Sequence, residues 1–111
     1  MQYMLLIYED DAERVEKMDE RMPTCAAYAE TMKKAGIYVT GNRLRGLATA
    51  ASVRVVDGRT HVFDGPYAEA KEQLGGYHII DVPDLDTALA WAARCPTASR
   101  GAVEVRPVWP V

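Results

Sequence analysis

The chain has 111 residues, two cysteines and a formal net charge of −3, with 49% hydrophobic and 26% charged residues; this is one ordinary globular domain, able to bury roughly 65% of its unfolded surface. The acid-leaning balance argues against direct nucleic-acid binding, leaving only a local basic group at Arg43, Arg45, Arg54 and Arg59. The first apolar run has no basic flank and stops at Glu9-Asp10-Asp11, too short for a secretory core or a bilayer span, so a cytoplasmic protein without membrane contact is expected.

Tyr3 to Tyr8 is an uninterrupted apolar run bounded by acids and predicts a buried central strand. Asp10 and Asp11 can cap a helix that begins near Ala12. Pro23 interrupts the pattern, which predicts a short helix before it and a longer one from about Pro23 to Ala35. Met22, Cys25, Ala26, Ala29 and Met32 share one face of that segment, and Gly36 ends it. Ile37 to Thr40 reads as a second strand, and Asn42 to Ala51 as a loop or irregular edge. Ser52 to Val56 and Thr60 to Phe63 flank Asp57-Gly58, a strong hairpin signal. A two-residue turn sets Arg54 opposite His61 and Val53 opposite Val62, whereas a bulged three-residue turn shifts that register.

Asp64 to Tyr77, DGPYAEAKEQLGGY, is the densest cluster of special residues. Asp64-Gly65-Pro66 predicts a turn opening a short helix, with Tyr67, Ala70 and Leu74 on its apolar face and Gly75-Gly76 as its stop. Tyr77 to Val82 is a further strand. Pro83-Asp84 opens a second long helix, with a core stripe of Leu85, Ala88, Leu89 and Ala92 and a close at Cys95-Pro96. Val103 to Arg106 alternates like a half-exposed strand, held to an edge by Pro107 and Pro110. Without the hairpin and short helix, the order is β-α-β-β-α-β, a single α+β, ferredoxin-like domain over residues 1–111. Its two helices would cover one sheet face. The other holds Leu5 or Leu6, Val39 and Ile79 or Ile80, too apolar to stay wet, which points to a second subunit.

Asp64 is the first candidate for chemistry, as a base or an anchor for a substrate donor; its alternative role is to fix the turn. Lys71 follows Tyr67 by four residues and could hold an anionic ligand, or lay its stem on the core with its head in water. His61 and His78 are the only histidines, hence the default proton carriers near neutrality. His78 alternates with Ile80 and Val82 on an apolar face, where a hydrogen-bonded core histidine is the simpler role. Tyr67 and Tyr77, among six tyrosines, suit a mixed pocket that orients a ligand, and equally an ordinary core rim. Cys25 and Cys95 read as free buried thiols in a reducing compartment, and two Cys with two His lack metal-ligand spacing. Glycine-rich phosphate loops, a nucleophile elbow and a zinc-protease helix are all missing from the sequence.

The Asp64-Gly65-Pro66-Tyr67 run, continued by Glu69, Lys71, Glu72, Gln73, Leu74, Gly75 and Gly76, resembles the core motif of YCII-related proteins, in the subgroup named for an Asp-Gly-Pro-Phe run. Tyr67 stands where that run has Phe. The resemblance extends from Tyr3-Met4-Leu5-Leu6-Ile7-Tyr8 to Val103-Glu104-Val105-Arg106-Pro107. It implies a ferredoxin-like domain pairing into a dimeric α/β barrel, with no cofactor. Enzyme-like relatives use a His–Asp pair with the His on the first helix, and this chain has no His before His61. Two functions follow as expectations. One is a small-molecule pocket protein for an anionic or phenolic ligand, acting as a cofactor-independent lyase or isomerase through Asp64, Lys71 and His61 or His78. The other is a non-enzymatic ligand-binding or regulatory protein, which the resemblance links to extracytoplasmic-function sigma factors.

Overall fold

The apolar run near the N-terminus forms β1, Gln2–Asp10, and the other strands are laid down on either side of it. In the computed structural model, which describes residues 1–110, β1 lies between β5, Glu72–Asp81, and β6, Ala102–Pro107. β2, Tyr38–Arg43, completes an antiparallel sheet of order β2-β5-β1-β6. This is the α+β ferredoxin-like arrangement with an inserted hairpin. Leu5 stands opposite both His78 and Val105, so one sheet face carries Tyr3, Leu5, His78, Ile80 and Val105. Period-two alternation puts Met4, Leu6, Tyr8, Leu74, Tyr77 and Ile79 on the opposite face. Val39 sits at a register irregularity of β2 and is half exposed.

Three helices cover the first face: α1, Asp11–Glu16, α2, Met18–Lys34, and α3, Leu85–Ala93. The core joins Tyr3, Leu5, Ile80 and Val82 of the sheet to Tyr28 and Met32 of α2, Ala88 and Ala92 of α3, and Cys95. Asp10 caps α1 by accepting from Glu13 N at 2.9 Å. The helix break falls at Lys17 rather than at Pro23, which lies inside α2. Near a helix start, proline removes a single backbone bond. The corner at Lys17 is instead fixed by Arg21, which reaches back to Glu9 at 3.0 Å and Glu13 at 2.6 Å.

The expected stripe on α2 is only partly core. Met32 is buried, whereas Met22 and Ala26 are exposed and Cys25 and Ala29 half-buried, because the N-terminal half of α2 roofs a cavity. On α3 the small residues Ala88 and Ala92 face the sheet, and Leu85 and Leu89 are left at the exposed margin. Among the described residues no helix is long and apolar enough to cross a membrane.

The short helix expected after Pro66 does not form. Residues 65–71 are an irregular loop, and β5 begins at Glu72. Pairing with β1 supplies the backbone bonds a helix would have made: Asp10 lies opposite Glu72, Glu9 opposite Gln73 and Tyr8 opposite Leu74. Gln73 Nε2 then donates to the carbonyls of Ala68 and Ala70, both at 2.9 Å. Gly75-Gly76 is therefore a bulge and not a helix stop. A Cβ at Gly75 would meet Arg14 Nε at 2.8 Å, and one at Gly76 the Asn42 carbonyl oxygen at 2.8 Å.

The inserted hairpin has the two-residue register: β3, Ala51–Val56, pairs with β4, Arg59–Asp64, with Val53 opposite Val62 and Arg54 opposite His61. Asp57 and Gly58 both have positive φ, 50° and 75°, as the hairpin turn of this twist requires. The pair forms its own two-stranded sheet and stands off the body as an arm. Its root is Asp64-Gly65: Gly65 N donates to Ala50 O at 2.8 Å, and Ser52 Oγ donates to Gly65 O at 2.8 Å.

Candidate functional site

The N-terminal half of α2 is lifted from the sheet by the Lys17 corner, and a cavity of about 390 Å³ opens beneath it. Ile7, Gly41, Gly76 and His78 form its floor, α2 its roof, and Pro96-Thr97 and Arg100 one wall. A partly open cleft of this size suits a single small ring with a few polar groups.

At one end lies Glu9, on the same strand face as Tyr3, Leu5 and Ile7 and as buried as Tyr3 and Leu5. A buried carboxylate needs partners. Arg21 Nη1 donates to Glu9 Oε1 at 3.0 Å, Thr97 Oγ1 donates to Oε2 at 3.1 Å, and Arg100 Nε lies 3.6 Å away. Arg14, also buried, donates through Nη1 to Leu44 O at 2.9 Å and through Nη2 to Asp11 and to Arg45 O, both at 3.3 Å. It ties the chain after β2 to α1. Lys33 pairs with Glu30 at 3.5 Å. Of the cationic residues lining the cavity, Arg43 alone has no carboxylate within ion-pair distance among the described residues.

His78 is held edge-on between Tyr28 and Tyr38, with ring centroids 5.7 and 5.8 Å away. Burial pushes its pKa below the ordinary histidine value, and the Arg43 charge lowers it further, so the ring is neutral at pH 7. Nδ1 is buried without a partner against Gly41, where a Cβ would collide with it. A bound molecule can thus address only Nε2. Tyr28 donates its hydroxyl to Trp91 O at 2.7 Å, joining α2 to α3, and burial raises its pKa. Cys25 and Cys95 are both free thiols on the cavity wall, and burial raises the Cys95 pKa.

Among the residues expected from sequence, His78 lines this cavity. Tyr77 lies on the opposite sheet face, where its hydroxyl accepts from Asn42 Nδ2 at 2.9 Å. His61 and Asp64 are exposed on the arm, and Tyr67 follows it, with Arg54 stacked 5.7 Å from its ring centre. Lys71 borders a shallow hollow with Tyr8, Asp10, Glu13, Glu72 and Glu104. The structure therefore does not gather Asp64, Lys71 and a histidine in one cavity. Glu9, Arg21, Thr97 and Arg100 carry no expectation from sequence, and Arg43 is expected there only as part of a basic group with Arg45, Arg54 and Arg59. For Glu9 a signal existed: alternation through Tyr3, Leu5 and Ile7 places it on the buried face. Arg43 and Arg100 carry no such signal, because long-range strand and loop packing brings them here.

The whole chain, residues 1–111, matches the YCII-related domain. An uncharacterized protein, R00369, of Rhizobium meliloti (strain 1021) is 39% identical over 114 residues, covering 97% of this chain and 92% of that protein. A solved structure of similar fold is 5-chloro-2-hydroxyhydroquinone dehydrochlorinase (TftG) from Burkholderia phenoliruptrix AC1100, in complex with 2,5-dihydroxybenzoquinone. It matches with a TM-score of 0.57 and 14% identity, covering 98% of this chain and 94% of that one.

Proposed function

This chain belongs to the YCII-related family, and from that premise we propose that it is a small-molecule pocket protein for a small anionic or phenolic ring. The site is the cavity under α2. The observation that carries the reading is that a neutral His78 and the uncompensated cation Arg43 line the same cavity, near enough for the Arg43 charge to act on the ring. Arg43 anchors an oxyanion or carboxylate of the ring, and Tyr28 and Tyr38 fix His78 from both sides. Nε2 takes a proton from the bound ring and returns it, which is the chemistry of a cofactor-independent lyase or isomerase. The dihydroxybenzoquinone held by the fold neighbour is a ring of this class.

Within the family we assign the chain to the Asp-Gly-Pro-Phe subgroup on its Asp64–Tyr67 run. Tyr77 and Lys71, on the open face and its rim, and Asp64, His61 and Tyr67, on the arm, are assigned to assembly rather than to the ring. We further infer a homodimer that buries the open sheet face of Met4, Leu6, Leu74 and Ile79, in a reducing cytoplasm where Cys25 and Cys95 stay thiols. One observation favours binding without turnover: Glu9, the buried carboxylate of the cavity, is saturated by Arg21, Thr97 and Arg100 and is not free as a second base. In that reading the ring is a signal, and the link to extracytoplasmic-function sigma factors rests on the subgroup resemblance alone.

The test is titration with 2,5-dihydroxybenzoquinone and with 4-hydroxybenzoate, followed by calorimetry and by chromatography of the recovered probe. Arg43→Gln is expected to weaken binding by about tenfold or more, the loss of one charge-assisted contact. His78→Asn should abolish any conversion while leaving binding within a few-fold. A recovered probe that is always unchanged decides for the regulatory reading. Parent-like affinity in Arg43→Gln would remove the cavity assignment.

A further inference from the structure

The arm is the part of the molecule that the cavity leaves unexplained. Val53, Val55 and Val62 share one of its faces and are 60%, 67% and 67% exposed. β3 and β4 pack on each other and make no extensive contact with any other element. A lone two-stranded hairpin is marginal in water, and β-branched residues on a bare face add nothing to it unless they are covered.

The molecule as a whole is spread out in the same sense. Its radius of gyration is 15.6 Å, against roughly 13 Å for a compact domain of this length. Its extents are 46 × 38 × 18 Å, and the thin dimension is one layer of helices on one sheet, with no second layer over the half-buried Met4, Leu6, Leu74 and Ile79 of the other face. One chain therefore carries two uncovered apolar surfaces, the open sheet face and the valine face of the arm.

We propose that the arm docks on a second copy of this chain, its valine face extending the contact made by the open sheet face, with the two arms exchanged about a two-fold axis. Area argues for it. A four-stranded face about 19 Å wide and 20 Å long offers a flat footprint of roughly 400 Å², well short of the roughly 800 Å² per partner typical of a stable interface. By the same spacing each arm adds a patch of about 200 Å² and covers a like area on the partner, which brings each subunit to roughly 800 Å². An isologous pair satisfies both surfaces twice, which a single foreign partner cannot do. The turn Asp64-Gly65-Pro66 then acts as the root that aims the arm, with Gly65 at φ 102° pinned to Ala50 and Ser52.

The inference rests on the homodimer reading above, and its test separates the two. Val53→Glu combined with Val62→Lys places an opposite-charge pair at a directly facing position, which keeps the hairpin while removing its apolar face. Sedimentation velocity and light scattering should give a two-chain species for the parent at micromolar concentration, and association weakened by about 100-fold or more in the variant. Amides of residues 51–64 should gain exchange protection with protein concentration in the parent only. A parent that stays a single chain defeats both the homodimer and the arm. A variant that dimerises like the parent, with arm amides equally exposed to exchange at every concentration, defeats the arm alone.

Discussion

The cavity and the arm treat their residues in opposite ways. Around the cavity, polar groups are buried and most are satisfied: Glu9 has three partners and both terminal nitrogens of Arg14 are engaged, with Arg14 Nε and His78 Nδ1 left unpartnered. On the arm, apolar groups are exposed and unpacked, and the hairpin is held by its ladder, its turn and the contacts at its root. The first region is stabilised by its own chain. The second has its preferred conformation encoded locally and its reason for being apolar elsewhere. A strand pattern alone therefore does not say whether valines belong to the core of their own molecule.

The comparison breaks most sharply at Glu9. Glu9→Ala leaves Arg21 and Arg100 without their buried partner and is expected to cost roughly 3 kcal/mol, at the low end for a broken buried pair because Arg21 keeps Glu13. Urea unfolding monitored by far-UV circular dichroism measures it. A loss under about 1 kcal/mol would show that the network is no more than a surface ion pair.

A smaller effect is expected from pH. Burial lowers the His78 pKa below 6.5, so between that value and the lowered one the unfolded chain binds more protons than the folded chain. The contribution of the neutral ring is fully present above the unfolded value and is lost as pH falls through the folded one. The urea midpoint should thus drop from neutral pH towards pH 5, and His78→Asn should flatten that part of the slope. An unchanged slope would mean that His78 is solvated in the folded protein.

The smallest effect belongs to the arm. Val55→Thr on its bare face should change the unfolding free energy of the dissociated chain by less than about 0.5 kcal/mol, as a surface substitution does. Thermal melts at high dilution measure this. A larger loss would show that the arm packs on its own body, and the contrast between the two regions would disappear.

Local chemistry made much of the fold legible. The run from Tyr3 to Tyr8 read as a buried strand, Asp57-Gly58 located the hairpin turn while leaving two registers open, and Asp84 opened α3 by accepting from Thr87 N at 2.8 Å. The same reasoning failed at Pro66 to Leu74, where helical spacing was outweighed by ladder bonds to a strand some sixty residues earlier. It placed His78 on a buried face and passed over Glu9, which the same alternation would have found.

By itself, then, the sequence determined the order of the strands and main helices, the hairpin turn and the burial of β1, because propensity, capping and apolar patterning act between near neighbours. Only the tertiary structure decided that α2 stands off the sheet over a cavity, that Arg43 and Arg100 meet His78 and Glu9 there, and that Asp64 is the root of an arm and not a helix cap. Those outcomes depend on contacts between residues distant in the chain, and on whether a backbone group finds its partner in a local turn or across a sheet, a competition that no local pattern encodes.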